Sequence, residues 1–223
     1  VYEGIARTQD ELDGHATQQG ANVGDCLYKD ISGPNGEPDG VIDAYDQTVL
    51  GSGLPKVNFG LSTHMEYKGF DLNISTYGVL NYHVSDDIYN SLNSCYGYGN
   101  KEVGMLDANR WSEDGSTYLS SVPRTYAANN ATLGWNDLFS SRKIQNAAYW
   151  KIANVELGYN FPDKWFGGYV SGVRLYVSAQ NLYTFTGYHG YNVDYAGGTF
   201  TPGYNFCSFP SARTFMCGLH FTF

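Results

Sequence analysis

The sequence predicts an all-β fold, the antiparallel strands of a membrane-spanning barrel, and three observations predict it. Five segments alternate apolar and polar residues with period two. The connections between them run short, long, short, long. Aromatic residues collect at the short-turn ends of the strands.

The first segment is 57–67, where Val57, Phe59, Leu61, Thr63, Met65 and Tyr67 share one face and Asn58, Gly60, Ser62, His64 and Glu66 the other. After Lys68-Gly69 the pattern resumes over 70–80, with Phe70, Leu72, Ile74 and Thr76 opposing Asp71, Asn73, Ser75 and Tyr77. A third strand is expected over 147–161, where Ala153, Val155, Leu157, Tyr159 and Phe161 oppose Asn154, Glu156, Gly158 and Asn160. A fourth, over 171–182, sets Val173, Leu175, Val177 and Ala179 against Arg174, Tyr176, Ser178 and Gln180. The fifth, over 212–223, sets Phe215, Cys217, Leu219, Phe221 and Phe223 against Met216, Gly218, His220 and Thr222.

One apolar and one polar face per strand would also suit a soluble sandwich. Connection lengths decide between the two. The long connections, 81–146 and 183–211, exceed the ~12–15 residues that compact domains usually tolerate. Short turns on one side and long loops on the other are how outer-membrane barrels are built. Tyr67, Phe70, Tyr159, Phe161, Trp165, Phe166, Phe221 and Phe223 would form a girdle at the short-turn rim. Tracing the strands places the C-terminus in the periplasm and residues 1–56 outside, as an outer loop. Five strands cannot close a barrel in lipid, where an open edge leaves backbone groups unsatisfied, so further strands are expected from elsewhere.

Composition agrees and excludes alternatives. Aromatic and charged residues each make up 16%, with 20 Tyr and 27 Gly, a pattern of strands, turns and broad ring surfaces. A net charge of −9 without a basic stripe argues against nucleic-acid binding. Val1-Tyr2-Glu3-Gly4 has neither the basic start nor the apolar core of a signal peptide. No run approaches the ~20 apolar residues of a membrane helix, a test to which barrel strands are blind. Cys26, Cys95, Cys207 and Cys217 lack zinc-ligand spacing; the first three lie in loop-like stretches, where one disulfide could form in an oxidising compartment.

Several runs together resemble the SusC/RagA-type TonB-dependent outer-membrane transporters. They are Gly24-Asp25-Cys26-Leu27-Tyr28-Lys29-Asp30, Asp39-Gly40-Val41-Ile42-Asp43, Leu50-Gly51-Ser52-Gly53-Leu54-Pro55-Lys56 and Tyr67-Lys68-Gly69-Phe70-Asp71-Leu72. Further along come Asn154-Val155-Glu156-Leu157-Gly158-Tyr159-Asn160-Phe161-Pro162, 173–182, 184–188 and 210–215. They occur in the family's order across most of the chain. The resemblance implies the C-terminal strands of a large transmembrane β-barrel of about 22 strands. It further implies a plug domain and a TonB-contacting region, neither within these residues, and a SusD-like surface lipoprotein acting as a lid. The implied function is import of large nutrients, oligosaccharides or oligopeptides, across the Gram-negative outer membrane. The rival readings are a secreted carbohydrate-binding β-sandwich with structural calcium, and a barrel hydrolase. No GxSxG or HExxH run and no nucleophile–base arrangement stands out, so no enzymatic activity is expected.

Three constellations are candidate sites. Counted from Asn35, oxygen ligands fall with EF-hand-like spacing on Asn35, Glu37, Asp39, the Val41 carbonyl, Asp43 and Asp46, with Gly40 at the turn. Such a loop could hold Ca²⁺ or Mg²⁺, with Asp30 as a substitute ligand; Pro34 and Pro38 interrupt it, and the alternative is an acidic loop of Asx turns. The polar strand faces would put His64, Glu66, Asp71, Asn73, Asn154, Glu156, Arg174, Tyr176 and Gln180 on the barrel lumen, as a transport path, as plug contacts or as ordinary wetted wall. Tyr96, Tyr98, Trp111, Trp135, Tyr188 and Tyr191 offer ring faces to cargo or to the lid, or simply pack the loops.

Overall fold

The computed structural model describes residues 1–95, 100–105, 110–112, 120–125, 134–166, 171–194, 198, 200–206 and 208–222. Its strands are β1 (Tyr2–Ile5), β2 (Cys26–Tyr28), β3 (Val57–Tyr67), β4 (Phe70–Leu80), β5 (His83–Asp86), β6 (Ile144–Asn146), β7 (Tyr149–Phe161), β8 (Gly172–Thr186), β9 (Tyr204–Asn205) and β10 (Thr214–Thr222). Two short helices, α1 (Gln9–Asp13) and α2 (Asp87–Leu92), accompany them. The chain divides into two compact units, 1–51 with 85–145, and 52–84 with 146–223. No helix among the described residues is long and apolar enough to cross a membrane, which says nothing of strands.

The second unit is built on a five-stranded antiparallel sheet in the order β10-β8-β7-β4-β3. Among these five, each strand pairs with the next of the five along the chain, as in an up-and-down barrel wall. Tyr67 pairs with Phe70, leaving Lys68 and Gly69 as a two-residue turn. Both have positive φ, 48° and 88°. That is the I′ conformation, whose twist matches the flanking strands.

The register gathers the five apolar faces onto one side of the sheet. Met65, Leu72, Leu157, Val177 and Cys217 form one continuous cross-strand row, and Tyr159, Leu175 and Leu219 belong to another. Leu61, Met65, Phe70, Phe215, Leu219 and Phe221 are each half or more exposed. A contiguous bare apolar face of this kind marks contact with lipid or another protein.

A β-bulge at Ala153 reorganises the half of the sheet away from the short turns, expected to be its outer half. Ser75 pairs with Asn154 and Thr76 with Ile152, so Ala153 has no partner on β4. The extra residue reverses which face each side chain of β7 takes beyond it. Tyr149 and Lys151 therefore join the polar face, and Trp150 and Ile152 the apolar one. Trp150 stacks on Phe185 (ring centroids 5.2 Å, 21° between planes), and Tyr183 meets Phe185 edge-on at 4.7 Å. The sheet thus carries an aromatic band at both ends, where sequence reasoning found only the short-turn one. That band shows Phe70 against Tyr159 (4.6 Å), Tyr159 against Phe161 (4.9 Å) and Phe161 against Trp165 (5.9 Å); Phe223 lies outside the described residues. β8 runs to Thr186, four residues past its expected end, so the outer loop begins later than 183.

In the first unit, β1 pairs antiparallel with β2, and Cys26, Tyr28 and Ile42 form a small core with Tyr2, Ala16 and Trp135 against it. Buried Asp25 accepts Arg124 Nε at 2.7 Å, Arg124 Nη2 at 2.9 Å and Asn136 Nδ2 at 2.8 Å, tying three stretches distant in sequence. Residues 81–146 are not plain loop: they hold β5, α2, β6 and several 3₁₀ turns. Cys26 and Cys95 are free, fully buried thiols; Cys207 lies outside the described residues.

Candidate functional site

The polar face of the sheet is the place to build a site, and its lower half is a network of charge. Asp71 opens β4 directly after the Lys68-Gly69 turn, and Arg174 sits two strands away on β8. Arg174 Nε donates to Asp71 Oδ1 at 3.1 Å and Nη2 to Oδ2 at 2.5 Å, a bidentate pair. Arg174 Nη2 also reaches Glu156 Oε1 at 2.7 Å, and Asn160 Nδ2 donates to Asp71 Oδ1 at 3.0 Å. Gly158 on the intervening β7 makes this reach open: a Cβ there would strike both the carboxylate and the guanidinium. The guanidinium lies 5.2 Å from the centroid of the Tyr176 ring. His64 forms a second cluster, its Nδ1 2.6 Å from Asn73 Oδ1 and its Nε2 2.9 Å from Glu66 Oε1. Asn154 and Gln180 pair across β7 and β8. Nine residues assigned by periodicity therefore share a face, and six of them join these two clusters, with Tyr176 packed under the guanidinium.

The outer half holds groups that sequence reasoning missed. Lys151 is buried and forms an ion pair with Asp194, with its Nζ 6.0 Å from the Tyr77 ring. Its position was hidden because period two, counted back from Asn154, puts residue 151 on the apolar face; a lysine there was the one signal of a bulge. Beside this pair lies a cleft of about 320 Å³. Asn181, Thr184 and Thr186 of β8 line it together with Ser211 and Arg213, and Tyr188 and Tyr191 belong to it as well. Tyr191 is exposed, whereas Tyr188 is buried in the cluster of Val79, Tyr82, Val84, Ala147, Tyr149 and Val193, its hydroxyl accepting Asn205 Nδ2 at 2.9 Å.

The acidic loop of the first unit uses its carboxylates on backbone amides. Asp46 accepts from the N–H groups of Ile31 (2.7 Å), Asp43 (2.8 Å) and Ser32 (3.2 Å). Burial opposes its ionisation, but these donors outweigh it and hold the carboxyl below the ordinary range. Asp43 accepts from Tyr45 N and completes a capping box with Asp46; Asp39 accepts from Val41 N, and Asp30 from Gly40 N. Asn35 and Glu37 are exposed, and no group of three or more His, Cys, Asp or Glu with metal-binding geometry occurs among the described residues. The hydrogen bonds are those of Asx turns.

The remaining aromatic candidates divide. Trp111 is buried and Trp135 half-buried, its indole N–H donating to Gln19 O at 3.1 Å, so both pack the first unit instead of presenting open faces. Tyr96 and Tyr98 lie outside the described residues. Burial pushes the Cys26 thiol up to about 12 and raises that of Cys95, which lies 3.8 Å from Arg142 Nη1.

Comparison with known proteins bears on the whole chain. No family model matches it. It is 30% identical over its full length to TonB-dependent receptor P3 of Formosa agariphila, of which it spans 21%. To TonB-dependent receptor SusC of Bacteroides thetaiotaomicron it is 26% identical over 88% of its length, 19% of that protein. Among solved structures, that of the RagAB peptide transporter matches 98% of the chain with a TM-score of 0.72 at 21% identity, covering 21% of that chain. The RagAB peptide importer in its open-open state gives the same TM-score over the entire chain. The chain thus spans about one fifth of the relatives it matches.

Proposed function

The chain belongs to the SusC/RagA-type TonB-dependent receptors, and on that premise we propose that it forms wall and outer loops of an outer-membrane importer of large nutrients, oligosaccharides or oligopeptides. The observation that carries the reading is the sheet itself. One face is bare, apolar and bounded by aromatic bands; the other is charged and internally hydrogen-bonded. That division suits a wall between lipid and a wet lumen. The missing strands and plug would come from the rest of the receptor, and a SusD-like lipoprotein would cover the outer side. Cargo would bind among the outer loops. Displacement of the plug, driven through TonB, would then open a path along the face bearing His64, Asp71, Glu156 and Arg174. No step needs bond chemistry. Uptake of fluorescent oligosaccharide and oligopeptide pools by cells carrying the full-length receptor tests this; uptake that persists after the inner-membrane potential is collapsed would refute it. Calcium or magnesium in the 35–46 loop would stiffen an outer loop. A melting temperature of the receptor that does not move in millimolar calcium would remove that part.

A further inference from the structure

The outer end of β8 points to the class of cargo. The ladder between β10 and β8 stops where Thr214 pairs with Gln180. On its other side β8 stays paired with β7 as far as Thr186. Residues 181–186 therefore have a ladder partner on one side only among the described residues. The cause is local. Pro210, which would face Thr184 if the register continued, lacks an N–H and bars pairing there. Asn181 takes a positive φ of 52°, and its side-chain amide, not its backbone, caps Ala212 O at 2.9 Å. The open edge forms one wall of the 320 Å³ cleft. Six residues of edge run about 20 Å at the usual rise, enough to pair with an extended peptide of similar length.

The side chains around the cleft are largely spent. Asn181 and Asn192 donate to the carbonyls of Ala212 and Phe209, and Asn192 Oδ1 accepts from Asp194 N. Thr186 Oγ1 bridges Ala148 O and Tyr188 N, and Lys151 is held by Asp194. Few amide or carboxylate side chains are thus left to engage the hydroxyls of a neutral sugar. Hydroxyls of Tyr183, Thr184, Tyr191 and Ser211 remain, and beside them the strand edge offers main-chain N–H and C=O, with the exposed Arg213 also lining the cleft and unpaired among the described residues. A strand edge binds backbone with little regard for sequence, and a guanidinium complements a terminal or side-chain carboxylate.

Resting on the importer reading, we infer that this cleft takes an oligopeptide as an added strand along β8, with Arg213 receiving a carboxylate. Binding to the detergent-purified full-length receptor tests it, with an Ala/Ser/Gly heptapeptide, the same peptide N-methylated at alternate residues, and maltoheptaose as probes. The heptapeptide binds, N-methylation weakens it tenfold or more, and maltoheptaose does not compete. Arg213→Ala removes the preference for a free over an amidated C-terminus. Ser211→Trp, filling the cleft, abolishes binding without lowering the melting temperature. Equal affinity for the methylated peptide, or competition by maltoheptaose, would overturn the assignment. Energy-dependent uptake of the heptapeptide that ignores both methylation and Ser211→Trp would overturn it while leaving the importer intact. Absence of energy-dependent uptake of any probe would overturn both.

Discussion

Arginine substitutions graded by depth along β4 separate a bilayer-facing wall from an ordinary covered sheet. Phe70 lies in one aromatic band, and Gly78, paired with Trp150, lies level with the other. The eight-residue rise between them is about 26 Å along the strand, or about 20 Å normal to a membrane at a tilt of ~40°. That is close to the ~25 Å apolar band of outer-membrane barrels. Ile74 lies halfway and on the apolar face, paired with Thr63 and Val155. Ile74→Arg should therefore cost about 2–4 kcal/mol. Leu80 stands six residues further out, about 15 Å from the midplane, so Leu80→Arg should cost at most about 1 kcal/mol. Ser75→Arg, next to Ile74 but on the opposite face, should also stay below about 1 kcal/mol, because a wet lumen accommodates charge. Urea titration of the full-length receptor folded into lipid vesicles measures all three. A face covered by protein would penalise Ile74→Arg and Leu80→Arg alike. Equal costs for those two variants, or a cost at Ser75 matching that at Ile74, would refute the lipid-facing assignment.

Three further perturbations follow from the two units taken separately. Arg174→Met leaves Asp71 buried and short of its main partner; breaking such a pair costs about 3–5 kcal/mol when fully enclosed, and about 2–3 here because Asn160 still donates and Arg174 is partly exposed. The double variant with Asp71→Asn should recover part of that in the same titration, and a strictly additive result would show the pair uncoupled. Asp46 has a lowered folded pKa, so its contribution is full above the unfolded carboxyl value near ~4 and disappears as pH falls through the lower folded value. The stability gap between the natural protein and Asp46→Asn should accordingly be open at neutral pH and close in acid, and a gap that widens on acidification would contradict the hydrogen-bond assignment. The Cys26 thiol, raised to about 12, stays protonated where a free thiol ionises, so it favours folding less as pH rises above ~8.5. Iodoacetamide at mildly alkaline pH should spare Cys26 and Cys95, which are buried, and also Cys217, which the apolar face would turn to lipid, until the receptor unfolds.

Most of the sheet could be read from the sequence because alternation is a local signal. Met65, Leu72, Leu157, Val177 and Cys217 each carry their own face in their neighbours, and antiparallel pairing then aligns them. The Asp71–Arg174–Glu156 face was legible for the same reason, although its contacts depend on Gly158, whose role appears only once the strands are side by side. The acidic loop was ambiguous because EF-hand spacing and Asx-turn chemistry use the same residues, and the carboxylates here accept from backbone amides.

The outer half of the sheet failed to show in the sequence for a sharper reason. A bulge is one residue that belongs to neither face, and nothing in Ala153 announces it. Yet that residue decides which face each side chain of the outer half takes. Without it, Lys151 would join the apolar face and Trp150 the polar one. With it, Trp150 joins Phe185 in the outer aromatic band, and Lys151 turns inward to hold Asp194 beside the cleft. The apolar face below the bulge and the polar cleft above it therefore share one strand, and on the importer reading the single unpaired alanine would let a lipid-facing wall and a cargo cleft coexist on β7 and β8.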